Sequence, residues 1–213
     1  SGAYAAVKTQ NLGIAMLVVL LTGAVLGLIF AFLTVTLQSD QTVCGMAMLI
    51  LGTGLSGFLG ESIASKPVNL KFPKLPIPLL SDIPVIGDIF FEQNILVYLM
   101  YIILPLATFY IFNTRWGMKL RALGENPAVL DAAGEKVFAM RYGYVIIGSM
   151  MMAVSGAFVS LAQTNVWQEG MTAGKGWIAF ALVAFSAWNP AKLAMGALLF
   201  GFISNLGSNL QIY

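Results

Sequence analysis

Few residues in this 213-residue sequence could do chemistry. There is no histidine, which removes the commonest general base, the commonest metal ligand and every triad built on imidazole. Hydrolytic and metal chemistry are not expected, and no cofactor is. The one cysteine, Cys44, stands among apolar neighbours and reads as a structural thiol. Gly52, Gly54 and Gly57 match the spacing of the dinucleotide fingerprint. That loop works only between a strand and a helix, with an acidic residue about 20 positions on, and here it lies inside an apolar run. The glycines read instead as close helix packing or a local break in a helix. No G-x-x-x-x-G-K-[ST] phosphate loop occurs, so the chain does not hydrolyse ATP by that chemistry. Glu61 ends an apolar stretch. Ionisable groups inside a membrane are the first suspects for function, but Glu61 is placed to reach the interface.

The sharpest local pattern is a helix start and stop. Asn126 suits an N-cap, Pro127 the first helical position and Gly134 the position after the last turn, so Pro127 to Ala133 is predicted as a helix of about two turns. A helix that short needs a surface to rest on. On residue pattern alone it is either a docking element for a partner or a solvated connector.

The elements that position these residues follow from composition. Hydrophobic residues make up 59% and charged residues 9%, with a mean hydropathy of +0.86, whereas soluble domains carry about 25% charge. The apolar runs recur along the whole length, which a signal peptide does not do, so this is an integral membrane protein. The net charge of +2 is too small and dispersed for a nucleic-acid partner. A bilayer core takes about 20 apolar residues of helix. Leu12 to Leu37 supplies them without a charge, and inside it Gly23 and Gly27 let another helix approach closely in lipid. Thr42 to Ala64 is the second span, after the polar turn Gln38 to Gln41. Ser65 to Asn94, dense in proline, is an extended extramembrane loop. Ile95 to Phe112 is the third span, with Pro105 as a tolerated kink, and Tyr142 to Ala162 is the fourth. Trp177 to Trp188, at about 18 Å of helix, is too short to cross. It reads as a half-helix, a re-entrant segment or a span that begins inside the turn Gln163 to Gly176. Asn189 and Pro190 then start a last helix, Ala191 to Leu206.

Basic residues orient the spans. Arg115, Lys119, Arg121, Lys136 and Arg141 in the segment Asn113 to Arg141 outnumber Lys66, Lys71 and Lys74 of the proline loop, so the positive-inside rule puts the former, with Gln38 to Gln41, in the cytoplasm. Gln163, Asn165 and Trp167, near the outward turn, are the candidate solute contacts, because amides and aromatic faces recognise a polar solute without charge.

The run Gly117 to Gly134, G-M-K-L-R-A-L-G-E-N-P-A-V-L-D-A-A-G, together with E-G-M-T-A-G-K-G-W-I-A at Glu169 to Ala179 and W-N-P at Trp188 to Pro190, resembles the permeases of ABC importers for nucleosides and simple sugars. These are relatives of the ribose and branched-chain amino-acid permeases. The proline loop, with S-D-I-P-V-I-G-D at Ser81 to Asp88, is similar to the nucleoside branch. The resemblance implies an all-α, polytopic transmembrane helical bundle with a broken or re-entrant segment, in the cytoplasmic membrane. It implies that the cytoplasmic helix is a coupling helix gripped by a separate ATPase, carried here by Gly124, Glu125, Asn126, Pro127, Ala133 and Gly134. One departure is Glu135 and Lys136, where the family has a small apolar residue. The expected partners are the ABC ATPase, a second permease subunit, identical or not, an extracytoplasmic solute-binding protein and the bilayer. Residues 1–213 are expected to be one permease domain lacking helices at both ends. Rival readings are an ion-coupled secondary transporter, which would need intramembrane carboxylates, a permease for branched-chain amino acids, and a membrane scaffold.

Overall fold

The structure, a computed structural model, describes residues 2–63, 74–76, 92–163, 168, 170–172 and 174–210. Among the described residues the elements are helical apart from one short antiparallel ladder, and four helices are long and apolar enough to cross a membrane, as the all-α polytopic reading requires. They divide into two compact units: Ser1–Leu96 with Asn126–Met171, and Val97–Glu125 with Thr172–Tyr213.

In the first unit a short helix, α1 (Gly2–Thr9), leads into α2 (Leu12–Ala31). The sequence reading did not foresee α1. The side chain of Asn11 caps α2 by accepting from Gly13 N at 2.9 Å and Ile14 N at 3.4 Å, which satisfies two of the donors a helix start leaves open. A π-helical turn, Phe32–Thr36, prolongs α2, and α3 (Gln41–Gly60) follows under the cap of Asp40. The two described pieces of the proline loop are extended, as predicted: β1 (Lys74–Pro76) pairs with β2 (Glu92–Asn94), Leu75 opposite Gln93. The rest of that loop, including Ser81 to Asp88, lies outside the described residues. The last helices of this unit are α6 (Pro127–Ala132) and α7 (Val137–Phe158), the latter prolonged by a π-helical turn, Val159–Gln163.

What holds this unit together is size rather than sidedness of hydrophobicity, since lipid gives apolar faces no reason to hide. The buried residues of α2 are Ala15, Val19, Gly23, Gly27 and Ala31, one every four positions. They meet α7 so closely that a Cβ on Gly23 would lie 2.9 Å from Met150 Cα and Ser149 O, and one on Gly27 would lie 2.7 Å from Ser149 Cβ. The small-xxx-small reading of Gly23 and Gly27 is realised against a stripe of small residues on α7. At one end of the pair α1 adds Ala3, Ala5 and Ala6 to a core with Ala15, Val19, Ala157 and Leu161. At the other end the hydroxyls of Thr36 and Tyr142 hydrogen-bond. The helices are therefore antiparallel, and the turn between α2 and α3 shares an end with the start of α7.

Two expectations are corrected here. The fourth span begins at Val137 rather than Tyr142, so Arg141 is inside the helix, whose hydrogen bonding does not stop where the hydrocarbon does. The glycines of α3 mark no break, because α3 is continuous from Gln41 to Gly60. Nor is a packing partner visible among the described residues for Gly45, Gly52 or Gly54, where a Cβ would meet nothing within 4 Å.

The second unit holds α4 (Ile95–Asn113, except its first two residues), α5 (Arg115–Glu125), α8 (Lys175–Phe185) and α9 (Pro190–Leu210). Helix α4 runs on through Pro105. With 11 residues, α8 is about 17 Å long against a core of about 30 Å, too short to cross alone, as the sequence indicated. It ends where Ala187 and Trp188 both take positive φ, 50° and 56°. Ala187 N donates to Ala184 O and Trp188 N to Val183 O, closing the last turn. Asn189 then caps α9 through Ala191 N at 3.0 Å, and Leu182 of α8 lies against Gly196 of α9.

Candidate functional site

The start and stop signals read from the sequence are both formed. Asn126 is extended (φ −149°, ψ 95°) and its side-chain oxygen accepts from Ala128 N at 3.1 Å, with Pro127 at the first helical position. Ala133 is the C-cap, so the helix proper ends one residue earlier than predicted. Gly134 sits at φ +78°. Its N–H donates to Asp131 O at 2.9 Å, and Glu135 N–H donates to Leu130 O at 3.0 Å. These are the paired bonds of a left-handed helix stop, the conformation for which glycine is suited. The departure at Glu135 leaves that stop intact, because the bond uses only its backbone.

Of the six predicted residues, Gly124 and Glu125 are the last of α5 and the other four frame α6. The boundary between the two units falls between Glu125 and Asn126. Helix α6 packs against α7 and buries Leu130 (7% exposed), while Val129 on the same short helix is 58% exposed. One side chain anchors the helix and an apolar one is left outward. Asp40, the cap of α3 in the turn that follows α2, accepts through its carboxylate from Thr42 N at 2.9 Å and Val43 N at 3.0 Å. Those bonds, Val43's first and Thr42's second, hold its carboxyl below the ordinary carboxylate range.

The candidate solute contacts fare differently. Asn165 and Trp167 lie outside the described residues, and Gln163 is described only in its backbone, as the last residue of the π-helical turn after α7. Glu61 is exposed in a 3₁₀ turn just past α3, and Cys44 is buried with a free thiol. Among the described residues no group of His, Cys, Asp and Glu gathers as a metal site would need.

Sequence reasoning missed α5 entirely. Its signal was present in Trp116, Leu120 and Leu123, at i, i+4 and i+7 on one helical face, but Gly117, Gly124 and the density of charge made the segment read as loop. Thr114 sets its start. The Thr114 hydroxyl donates to Tyr110 O at 2.6 Å and accepts from Gly117 N at 3.1 Å. The chain turns so sharply there that a Cβ on Gly117 would collide with the carbonyl oxygens of Tyr110 and Ile111.

The family model described as branched-chain amino acid transport system / permease component matches residues 1–212. The chain is 37% identical, over 86% of its length, to a putative glucose ABC transporter permease protein of Haloferax volcanii. It is 34% identical over 88% to a nucleoside ABC transporter permease protein of Lactococcus lactis, and 33% identical over 96% to a guanosine ABC transporter permease protein of Bacillus subtilis. It spans 57%, 62% and 68% of the lengths of those three relatives. No solved structure matches it.

Proposed function

The chain belongs to the family of branched-chain amino acid transport system permease components, and from that premise we propose that it is the permease subunit of an ATP-driven importer of nucleosides or simple sugars in the cytoplasmic membrane. Its partners in this reading are an ABC ATPase, a second permease subunit and an extracytoplasmic binding protein, with solute passing between the permeases by alternating access. ATP is hydrolysed on the partner, because this sequence has no phosphate loop.

The observation that carries the reading is α6, capped at both ends and anchored by one side chain. Such an element suits the passing of force. A push on α6 reaches α7 through Leu130 and the closed stop at Gly134, and α7 is keyed to α2 by backbone contact at Gly23 and Gly27. Gly124, Glu125, Asn126, Pro127, Ala133 and Gly134 form the coupling element in this reading. Gln163, Asn165 and Trp167 are the proposed solute contacts, on the chemistry of two amides and an indole.

Nucleosides lead as cargo because two of the three relatives above are named for nucleoside or guanosine transport and one for glucose. Uncharged cargo also fits spans with almost no ionisable side chains. Branched-chain amino acids come third. The test is uptake into proteoliposomes that hold the permease pair and its ATPase, with the binding protein outside. Guanosine or glucose should accumulate only with ATP inside, and binding protein loaded with that solute should raise ATP hydrolysis. Accumulation driven by a sodium or proton gradient without ATP would assign the chain to secondary transport instead.

A further inference from the structure

Helix α5 is not needed to connect α4 with α6, since a few residues of loop would do, and its composition suggests a task of its own. It leaves α4 at an elbow built from the Thr114 hydroxyl and the close approach of Gly117 to the last carbonyls of α4. Any side chain at Gly117 would collide with backbone, so this elbow admits only glycine there. One face of α5 carries Trp116, Leu120 and Leu123, of which Leu123 is 8% exposed and Trp116 is 58% exposed. Lys119 borders that face with Arg115 behind it, Arg121 lies on the other side about 130° from the centre of the face, and the only acid of α5, Glu125, is its last residue. Two of the cations are already drawn towards the aromatic end of α4 and α5. Lys119 Nζ lies 5.0 Å from the Trp116 ring centre, and the Arg121 guanidinium 5.4 Å from that of Phe112.

We propose that α5 is an interfacial helix which, through Arg115, Lys119 and Arg121, recruits the headgroups of anionic phospholipids in the leaflet where α4 ends. The helix begins two residues beyond the last residue of a membrane span, so its first turn is held at headgroup depth. Tryptophan settles at that depth because its ring is apolar and its N–H polar. Arginine and lysine there lay their stems along apolar surface and raise their charge to the phosphates. Basic residues beside a span attract anionic lipid additively and within a Debye length of the surface. The flanking of one apolar face by cations on both sides is the pattern of a helix lying in the interface plane.

The test uses the reconstituted protein with Trp116 as its only tryptophan, every other one being replaced, Trp167→Phe, Trp177→Phe and Trp188→Phe among them. Vesicles contain equal parts phosphatidylcholine and phosphatidylglycerol, with bromine on the upper acyl chain of one lipid or of the other. Trp116 fluorescence is expected to be quenched in both, several-fold more by the brominated phosphatidylglycerol. Salt should narrow that preference. Arg115→Gln, Lys119→Gln and Arg121→Gln together should bring it to parity while quenching itself persists. If the triple variant does not insert, the salt dependence in the parent protein decides alone. Equal quenching by the two lipids with all three cations present overturns the proposal. So does Trp116 that acrylamide quenches and bromine does not, or lipid quenching that disappears when a cognate ATPase binds, which would make α5 a protein contact. None of these readouts depends on the cargo or on ATP-driven uptake.

Discussion

Helices α2 and α3 are neighbours of equal length, 20 residues each, and both begin under a polar cap. Both contain spaced glycines. In α2 Gly23 and Gly27 are buried against α7, whereas at Gly45, Gly52 and Gly54 of α3 the space is open. The same residue type therefore does opposite work in the two helices. In α2 glycine is a requirement of contact already made within the chain. At Gly45, Gly52 and Gly54 of α3 it costs helix propensity and gains nothing that the described residues supply. Glycine in a membrane span is an invitation to pack, and only the partner says whether it has been taken up.

The largest expected effect comes from asking both helices for one methyl group. Gly23→Ala puts a Cβ 2.8 Å from Ala153 Cβ and 2.9 Å from backbone atoms of α7, where neither side can yield cheaply. It should destabilise the protein by about 2 kcal/mol, a typical cost of overpacking. Gly52→Ala meets nothing and should stabilise α3 by up to about 1 kcal/mol through propensity alone. Thermal unfolding of the detergent-solubilised single chain measures both. The contrast collapses if the two substitutions move the midpoint in the same direction. If Gly52→Ala is benign in the single chain yet impairs assembly of the permease pair, the comparison sharpens, since the surface kept open by α3 would then belong to a subunit contact.

A smaller effect is expected at α6, the other region where sequence and structure meet closely. Asn126→Ala removes a cap worth about 1 kcal/mol, and Gly134→Val forces a branched side chain to φ +78°, at about 1–2 kcal/mol. Because α6 lies outside the spans, insertion and assembly should survive. Association with the ATPase, or the stimulation of ATP hydrolysis by loaded binding protein, should fall. A double variant that transports at the parent rate would reduce α6 to a connector.

How much of this was legible in the sequence depended on whether the signal was local. The caps at Asn126 and Gly134, and the start at Asn189, were readable because a cap is set by the chemistry of a few consecutive residues. The apolar runs of α2, α3, α4 and α7 were readable because a bilayer demands length. The pairing of Gly23 and Gly27 with Ser149, Met150 and Ala153 was half readable: the glycines announced a contact, but nothing local named α7 as its other side. Helix α1 escaped because its core contribution is three alanines, too small to look like a hydrophobic face. Helix α5 escaped because two glycines and three cations resemble a loop until the elbow at Thr114 is seen. The solute contacts were the least legible part, since an amide at the end of a span looks the same whether it meets a solute, a lipid headgroup or water.

The smallest expected effect returns to the starts of the two helices. Asn11 and Asp40 do the same job, each accepting from two backbone N–H groups, but only Asp40 titrates. Its carboxyl is held below the ordinary carboxylate range by Val43 N–H and Thr42 N–H, so in the unfolded chain it takes up its proton at a higher pH than in the folded one. The contribution to stability is therefore fully present above the unfolded value and is lost as pH falls through the folded value. It is screened by solvent at this exposed site. On acidification α3 should fray at its first turn while α2, under the neutral Asn11, does not. Asp40→Asn keeps an acceptor at the cap and should leave the stability of the start of α3 flat with pH. Asp40→Ala should lower it at every pH above the carboxylate range. Hydrogen exchange of the Thr42 and Val43 amides reads the effect directly. If protection there, taken relative to the intrinsic exchange rate, falls on acidification as much in Asp40→Asn as in the parent protein, the carboxylate is not the titrating group and the difference between the two caps has no energetic content.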